Sequence, residues 1–341
     1  MPLHTLALIL AALAGATPAP SGEITGTSPL PEGDTGIASR YVGDVGIARD
    51  PAVVFADDFE NASSPGDLRR TWDNIHHDKH IRLAEEPANV HSGRRALEFT
   101  VPQQKDEFSN AVMKKLNPER DIVFLRWYTK FEAGFDQTGS SHNGGHISAH
   151  YVKGTKVTPG VPADGKNYFL ALFENWRGDK ETPSPGHLNI YCYYPGQREG
   201  YGDHFYPTGK ISPFTNKPGS WGPQFVARPD VVPPLDRWLC YEFMVRANTV
   251  GQRDGRIALW LDGKLIADFM NMRLRDVETL KIDRVGLELH IRNNTVRPNK
   301  KWYDDVVAAT SYIGPMAKPG GAKPKTAPPP RKPMMAWPTK K

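Results

Sequence analysis

Helical periodicity is nearly absent from this 341-residue chain. MRLRDVETL (272–280) is the best short candidate for a helix, and no internal repeat appears. Long apolar runs are also missing. Residues 5–16 (TLALILAALAGA) form an apolar stretch too short to span a bilayer, and no second one follows. With Ala14-Gly15-Ala16 as a cleavage site, this stretch reads as a secretory signal, although its leading residues carry only His4 and no Lys or Arg. Cysteine is scarce. Cys192 and Cys240 both lie in strand-like runs and lack the spacing of a metal motif. In an exported protein they form either a cross-strand disulfide or two buried thiols.

Positive charge on the folded part is lacking as well. The formal net charge is +5, but the tail from Met316 holds seven positive residues and no acid, and subtracting them leaves −2. The high pI therefore belongs to the tail, and no nucleic-acid surface is expected on the fold. Four segments follow: a signal peptide at 1–16, an irregular Gly/Pro/Ser/Thr-rich arm at 17–50, one large domain at 51–315, and a disordered Pro/Lys-rich tail at 316–341. A secreted or periplasmic monomer without a membrane span is expected.

What is present is β-structure. Runs such as AVVFADDF, DIVFLRWYTKF, NYFLALFENW, WLCYEFMVRAN and RIALWLDG are short, rich in β-branched and aromatic residues, and bounded by Gly, Pro, Asn or Asp. Many such strands without intervening helices predict an all-β sandwich or barrel. Several strands alternate cleanly, and their polar sides are unusual. GGHISAHY (144–151) puts His146, Ser148 and His150 on one face. HLNIYCYY sets Leu188, Ile190 and Cys192 against His187, Asn189, Tyr191 and Tyr193. VGLELHIRNN sets Val285, Leu287, Leu289 and Ile291 against Glu288, His290 and Arg292. DIVFLRWYTKF sets Val123, Leu125, Trp127 and Phe131 against Arg126, Tyr128 and Lys130. His, Tyr, Arg, Asn and Glu recur where an ordinary wet face would mix Lys, Glu, Thr and Ser. That composition fits a sugar-binding floor with acid–base groups, provided the strands are neighbours.

The motifs FADDFE, HSGRRALEF, FLRWYTKFEAGFD, WLCYEFMVRANTVGQRDGRIALWLDGKLI and WYDDVVAATSYIGP, in this order, resemble the concanavalin A-like jelly-roll polysaccharide lyases, among them glucuronan lyase and alginate lyases. The resemblance covers most of 52–315. It implies a jelly roll of two packed antiparallel sheets, one of them concave and carrying a substrate groove. It also implies a structural calcium, held here by Glu60, the turn at Ser92, and Asp304 or Asp305, which are hard oxygen donors of the kind calcium prefers. The Arg-rich and Gln-x-His strand motifs of the best-known alginate lyases are not found.

A lyase of this kind cleaves a uronic-acid chain by β-elimination. It neutralises the sugar carboxylate, removes the C5 proton and protonates the leaving C4 oxygen. The catalytic candidates are His146 or His150 with Tyr191 or Tyr193. Arg126, Arg292 and Asn189 are candidate carboxylate holders, and Tyr128, Glu288 and His290 are further substrate-binding candidates. The substrate class expected is an acidic polysaccharide. The pair His146 and His150, with His142 nearby, also raises a zinc or copper reading. The rival enzyme is a glycoside hydrolase, which needs two carboxyl groups across the scissile bond. No Glu-x-Asp-x-x-Glu run exists, and Glu174, Glu242 and Glu288 are scattered. The non-enzymatic rival is a binding module that stacks sugars on Trp176, Tyr193, Tyr201, Trp221 or Trp260.

Overall fold

The computed structural model describes residues 25–139, 141–150, 159–197, 200–212 and 221–318. The expected signal peptide, the arm up to residue 24, and the tail from residue 319 lie outside the described residues. Within them are seventeen strands and five short 3-10 turns.

Eight strands make one sheet: β1 (Val53–Asp57), β3 (Ile81–Ala84), β4 (Ala96–Val101), β6 (Ile122–Phe131), β13 (Leu239–Arg246), β14 (Gly255–Leu261), β15 (Lys264–Met272) and β17 (Asn299–Ala309). Nine make the other: β2 (Asn74–His76), β5 (Phe108–Arg120), β7 (Ser141–His142), β8 (Gly145–His150), β9 (Tyr168–Trp176), β10 (His187–Tyr193), β11 (Asp203–Phe205), β12 (Ile211–Ser212) and β16 (Ile282–Ile291). The first sheet runs β15-β14-β13-β6-β17-β4-β3, with β1 also on β17. The second runs β12-β11-β10-β9-β8-β16-β5-β2, with β7 also on β16. The chain is thus an all-β sandwich of the jelly-roll type. The β14–β15 hairpin turns at Asp262-Gly263, where both φ angles are positive (50° and 77°), as a tight two-residue turn requires.

Alternation built the core as the sequence predicts. Leu125, Trp127 and Phe243 from the first sheet meet Ile147, Phe173, Ile190 and Leu287 from the second. Trp127 and Phe173 pack edge-to-face at 5.8 Å. Cys192 and Cys240 are buried free thiols in different sheets, so the disulfide alternative falls. MRLRDVETL is not a helix. Its first backbone amides donate elsewhere, Leu274 and Arg275 both to Asn248 Oδ1 at 2.7 and 2.9 Å. Leu274 and Leu280 then reach the core from a loop.

Residues 25–50 are irregular but packed. Ile37, Ala38 and Ile47 cover Phe124, Met244, Trp260 and Tyr312 on the outer face of the eight-stranded sheet. Trp260 Nε1 donates to the Pro31 carbonyl at 2.9 Å. The arm is therefore a roof on that sheet. At the other end, Gly43 N–H donates to Ala317 O at 2.8 Å, so the first residues assigned to the tail join the fold.

Candidate active site

The outer face of the nine-stranded sheet gathers three of the polar strand sides. Register across β16, β8, β9, β10 and β11 aligns Gly286, His146, Leu172, Tyr191 and His204 in one row. The next row holds Arg284, Ser148, Leu170 and Tyr193. On the other side, Glu174 pairs with Asn189, Glu288 N–H donates to Gly144 O, and His290 stands opposite His142. Two glycines make room for this. A Cβ on Gly144 would lie 1.7 Å from the Phe173 carbonyl oxygen, and one on Gly286 would lie 2.4 Å from the His146 ring. The imidazole of His146 occupies the space that residue 286 leaves.

Glu174 is fully buried and central. Its Oε2 lies 2.9 Å from His142 Nδ1, and its Oε1 lies 3.6 Å from His204 Nδ1. Burial pushes the Glu174 carboxyl up to about 7. Burial by itself would lower His142, but the Glu174 charge and hydrogen bond outweigh it and raise the imidazole to about 9. The neighbouring histidines go the other way. Burial takes His204 down to about 3, helped by the charge on His142, and takes His150 down to about 3, helped by Arg284. His146 and His290 are lowered by burial as well. One imidazolium therefore stands among neutral imidazoles at neutral pH. His204 Nδ1 donates to Asn189 Oδ1 at 2.9 Å, and His146 Nδ1 sits 3.8 Å from Glu288 Oε1.

Tyr191 lies beside this group, its ring 4.7 Å from that of His142. Its hydroxyl bonds that of Tyr193 at 3.2 Å and accepts the Gly202 N–H at 3.0 Å. Burial raises both phenols, so both stay protonated. His146 and Tyr191 flank Leu172 from alternate strands, a backbone separation of about 9–10 Å.

The structure thus brings together His146, His150, Tyr191, Tyr193, Asn189, Glu288 and His290 on one sheet face. It does not bring Arg126 and Tyr128 there. They point outward from the eight-stranded sheet, on the far side of the sandwich, where Arg126 pairs with Asp44 of the arm and Tyr128 stacks on His91. Alternation gave their side of the strand correctly but could not say which sheet β6 joins. Arg292 is exposed at the rim, in an open cleft of about 690 Å³ with Lys105, Glu107 and Thr138. Of the stacking candidates, Trp221 and Trp260 are core residues, whereas Trp176 meets the face through His204 at 4.6 Å. Among the scattered acids, Glu242 instead holds the Ile313 and Gly314 amides at 2.8 Å on the other sheet.

Sequence reasoning missed His142 as the charged member, and missed His204. Glu174 had a signal, as the polar residue in phase with Leu170 and Leu172 of an apolar strand. His204 had none, because a three-residue strand has no periodicity.

Asp304 and Asp305 meet the turn at Ser92. Asp304 Oδ2 accepts the His91 and Ser92 amides at 2.9 and 3.2 Å, and Asp305 accepts Ser92 Oγ at 2.7 Å. Glu60 Oε1 accepts the Arg94 and Arg95 amides at 2.6 and 2.7 Å. Among the described residues no group of three or more His, Cys, Asp or Glu side chains is arranged to hold a metal, including the histidines of β8.

Glu174→Gln is expected to lower the His142 titration midpoint from about 9 to the ordinary imidazole value of about 6.5 or below it, because burial then acts with little opposition, read by NMR of labelled histidine. A folded-state value raised above the unfolded one stabilises most at pH below the unfolded value and loses that contribution as pH rises through the folded value. The wild type should thus lose stability between about pH 6.5 and 9 through this group, and the variant should lack that slope. An unmoved midpoint would remove Glu174 as the cause.

These features define an all-β sandwich with an acid–base cluster on one sheet face. Solved structures with the same fold include an alginate lyase in complex with alginate tetrasaccharide, at 14% identity and a TM-score of 0.55 over 76% of this chain and 98% of that one. Alginate lyase vAL-1 from Chlorella virus matches at 14% and 0.51 over 76% and 100%, and the marine PL-14 alginate lyase from Aplysia kurodai at 13% and 0.52 over 76% and 99%. No family model matches the chain, and no curated protein does.

Proposed function

We propose that the protein is an exported polysaccharide lyase that cleaves a uronic-acid-containing polysaccharide by β-elimination on the outer face of the nine-stranded sheet. The observation that carries this is the convergence on that face of His142, held 2.9 Å from Glu174, with the Tyr191 ring 4.7 Å from it and His146 in the same row as Tyr191; burial lowers His146 and raises Tyr191. His142 neutralises the sugar carboxylate and stabilises the enolate-like charge. His146, with Glu288 near its Nδ1, takes the C5 proton as the general base. The C4–O bond breaks, a C4–C5 double bond forms, and Tyr191 gives its proton to the leaving oxygen. Asn189 and His290 bound the sugar on the flanking rows. The alginate lyases sharing this fold, one of them solved with an oligosaccharide, support the substrate class.

Glu174 and Glu288 share the face, which gives a hydrolase its own specific support. One assay separates the readings. The purified protein is incubated with alginate, glucuronan and other uronic-acid polymers, following the ultraviolet absorbance of unsaturated uronates alongside reducing ends. A lyase raises both signals. A rise in reducing ends alone establishes a hydrolase, and neither signal with retardation in a polysaccharide gel establishes a binding module.

Structural calcium belongs to the same proposal. The adjacent Asp304 and Asp305 are buried, and burial with their mutual repulsion holds Asp304 well above the usual carboxylate range. Two carboxylates and the Ser92 hydroxyl are hard donors of the kind calcium takes, and an ion there would replace the contacts of Asp305 with His91 and Ser92, while Glu60 is spent on the Arg94 and Arg95 amides. Chelation is expected to lower the melting temperature and added calcium to restore it. A melting curve indifferent to both removes the ion.

A further inference from the structure

Lys301 is a fully buried lysine that the chemistry above does not use. It projects from β17 of the eight-stranded sheet into the core, and its Nζ donates to the backbone carbonyl of Asn143 on the opposite sheet. Three aromatic rings surround the amine, those of Phe131, Tyr303 and Tyr241 at 4.0, 5.0 and 5.6 Å. An unpaired lysine costs several kcal/mol to bury, so its place in the interior calls for a specific role.

Asn143 is the residue between His142 and Gly144, where the ladder from β7 to β8 is interrupted. Its own side chain is spent locally: Nδ2 donates to Asn175 O and Oδ1 accepts Asn175 N–H, at 2.9 and 3.0 Å. The Asn143 peptide is thus clamped to the strand bearing Glu174 from one side and held by Lys301 from below. Two further core residues cross in the same way. Tyr303 Oη donates to the Glu288 carbonyl at 2.6 Å, and Tyr241 Oη donates to Asn175 Oδ1 at 3.2 Å. All three anchors end directly beneath the face that carries His142, Glu174 and Glu288.

We infer that Lys301 is a positioning residue that reaches through the sandwich to fix the Asn143 peptide and, through it, the His142–Glu174 pair. The groups facing that pair are Glu288, Glu107, His290, His204 and Tyr191 on the outer side and Lys301 on the inner side. Lys301 is the one basic side chain of that set other than the histidines, and its charged form opposes protonation of Glu174. Burial lowers the Lys301 amine well below its ordinary value, and Glu174 works against that.

The inference rests on the His142–Glu174 pair being the working centre, but its test needs no substrate. In Lys301→Met, labelled-histidine NMR should show the His142 midpoint lowered by one unit or more, with His146 and His290 still dispersed as in a folded protein. A residue that only stabilises the core would lower the melting temperature and leave that midpoint in place, which overturns the inference. If Lys301→Met does not fold, the wild-type protein decides. Its Lys301 side-chain 15N resonance should move in step with the titration of Glu174 and His142, and a resonance flat across both overturns the inference. Because neither readout involves turnover, a failed lyase assay with a lowered midpoint would count against the proposed reaction and leave the positioning role standing.

Discussion

Asp44→Asn is expected to lower the unfolding free energy by about 3–5 kcal/mol, the loss typical of removing one partner from a buried ion pair. Arg126 is fully buried on the outer side of β6, and Asp44 of the arm is 9% exposed. The Arg126 Nη2 bonds Asp44, while its Nε and Nη1 have no other hydrogen-bond partner. Without the carboxylate a guanidinium stays charged and buried on the sheet face that Ile37 and Ile47 of the arm cover. Asparagine keeps the shape and tolerates the left-handed backbone at this position (φ 56°), so the loss reports charge. Urea denaturation gives the value, with the midpoint falling at constant slope. The exposed pair Lys281–Asp121 provides the contrast, since Lys281→Ala should cost no more than about 1 kcal/mol. Equal effects at the two sites would mean that water reaches Arg126.

Tyr191→Phe is expected to lower kcat for the elimination by about 10²–10⁴-fold, the usual contribution of a positioned proton donor. The lost hydroxyl also leaves the Gly202 N–H and the Tyr193 hydroxyl short of one partner, a stability loss of about 1 kcal/mol. Thermal melting should therefore show a folded variant, and the unsaturated-uronate assay an almost inactive one. Tyr193→Phe should be milder, because Tyr193 springs from the row next to the one joining His146 and Tyr191, and its hydroxyl meets that row only through the 3.2 Å bond to the Tyr191 hydroxyl. Full activity in Tyr191→Phe would hand the proton donation to another group on the face.

The candidate site was half legible in the sequence. Tyr191 and Tyr193, or His146 and His150, could be placed on common faces because a strand sends alternate residues to one side. The charged member was not legible, because it is defined by a pair. His142 and Glu174 lie 32 residues apart in the chain, and only the meeting of β7 and β9 around Asn143 brings them to 2.9 Å. The arm failed for a related reason. Ile37, Ala38 and Ile47 are isolated apolar residues in a Gly- and Pro-rich stretch, with no period to mark them as a packing surface.

By itself the sequence determined the class of fold, since two-residue alternation with turn residues between the runs admits only strands that bury one side. It also determined that β8, β10 and β16 carry imidazoles, phenols and acids away from the core. Tertiary structure alone decided that these three sides share one sheet while the Arg126 side of β6 belongs to the other. It alone decided that Glu174 lies between two histidines and that Lys301 stands beneath them. Local residue order sets which way a side chain points, whereas strand pairing across long separations sets what it meets, and charge states follow from what is met.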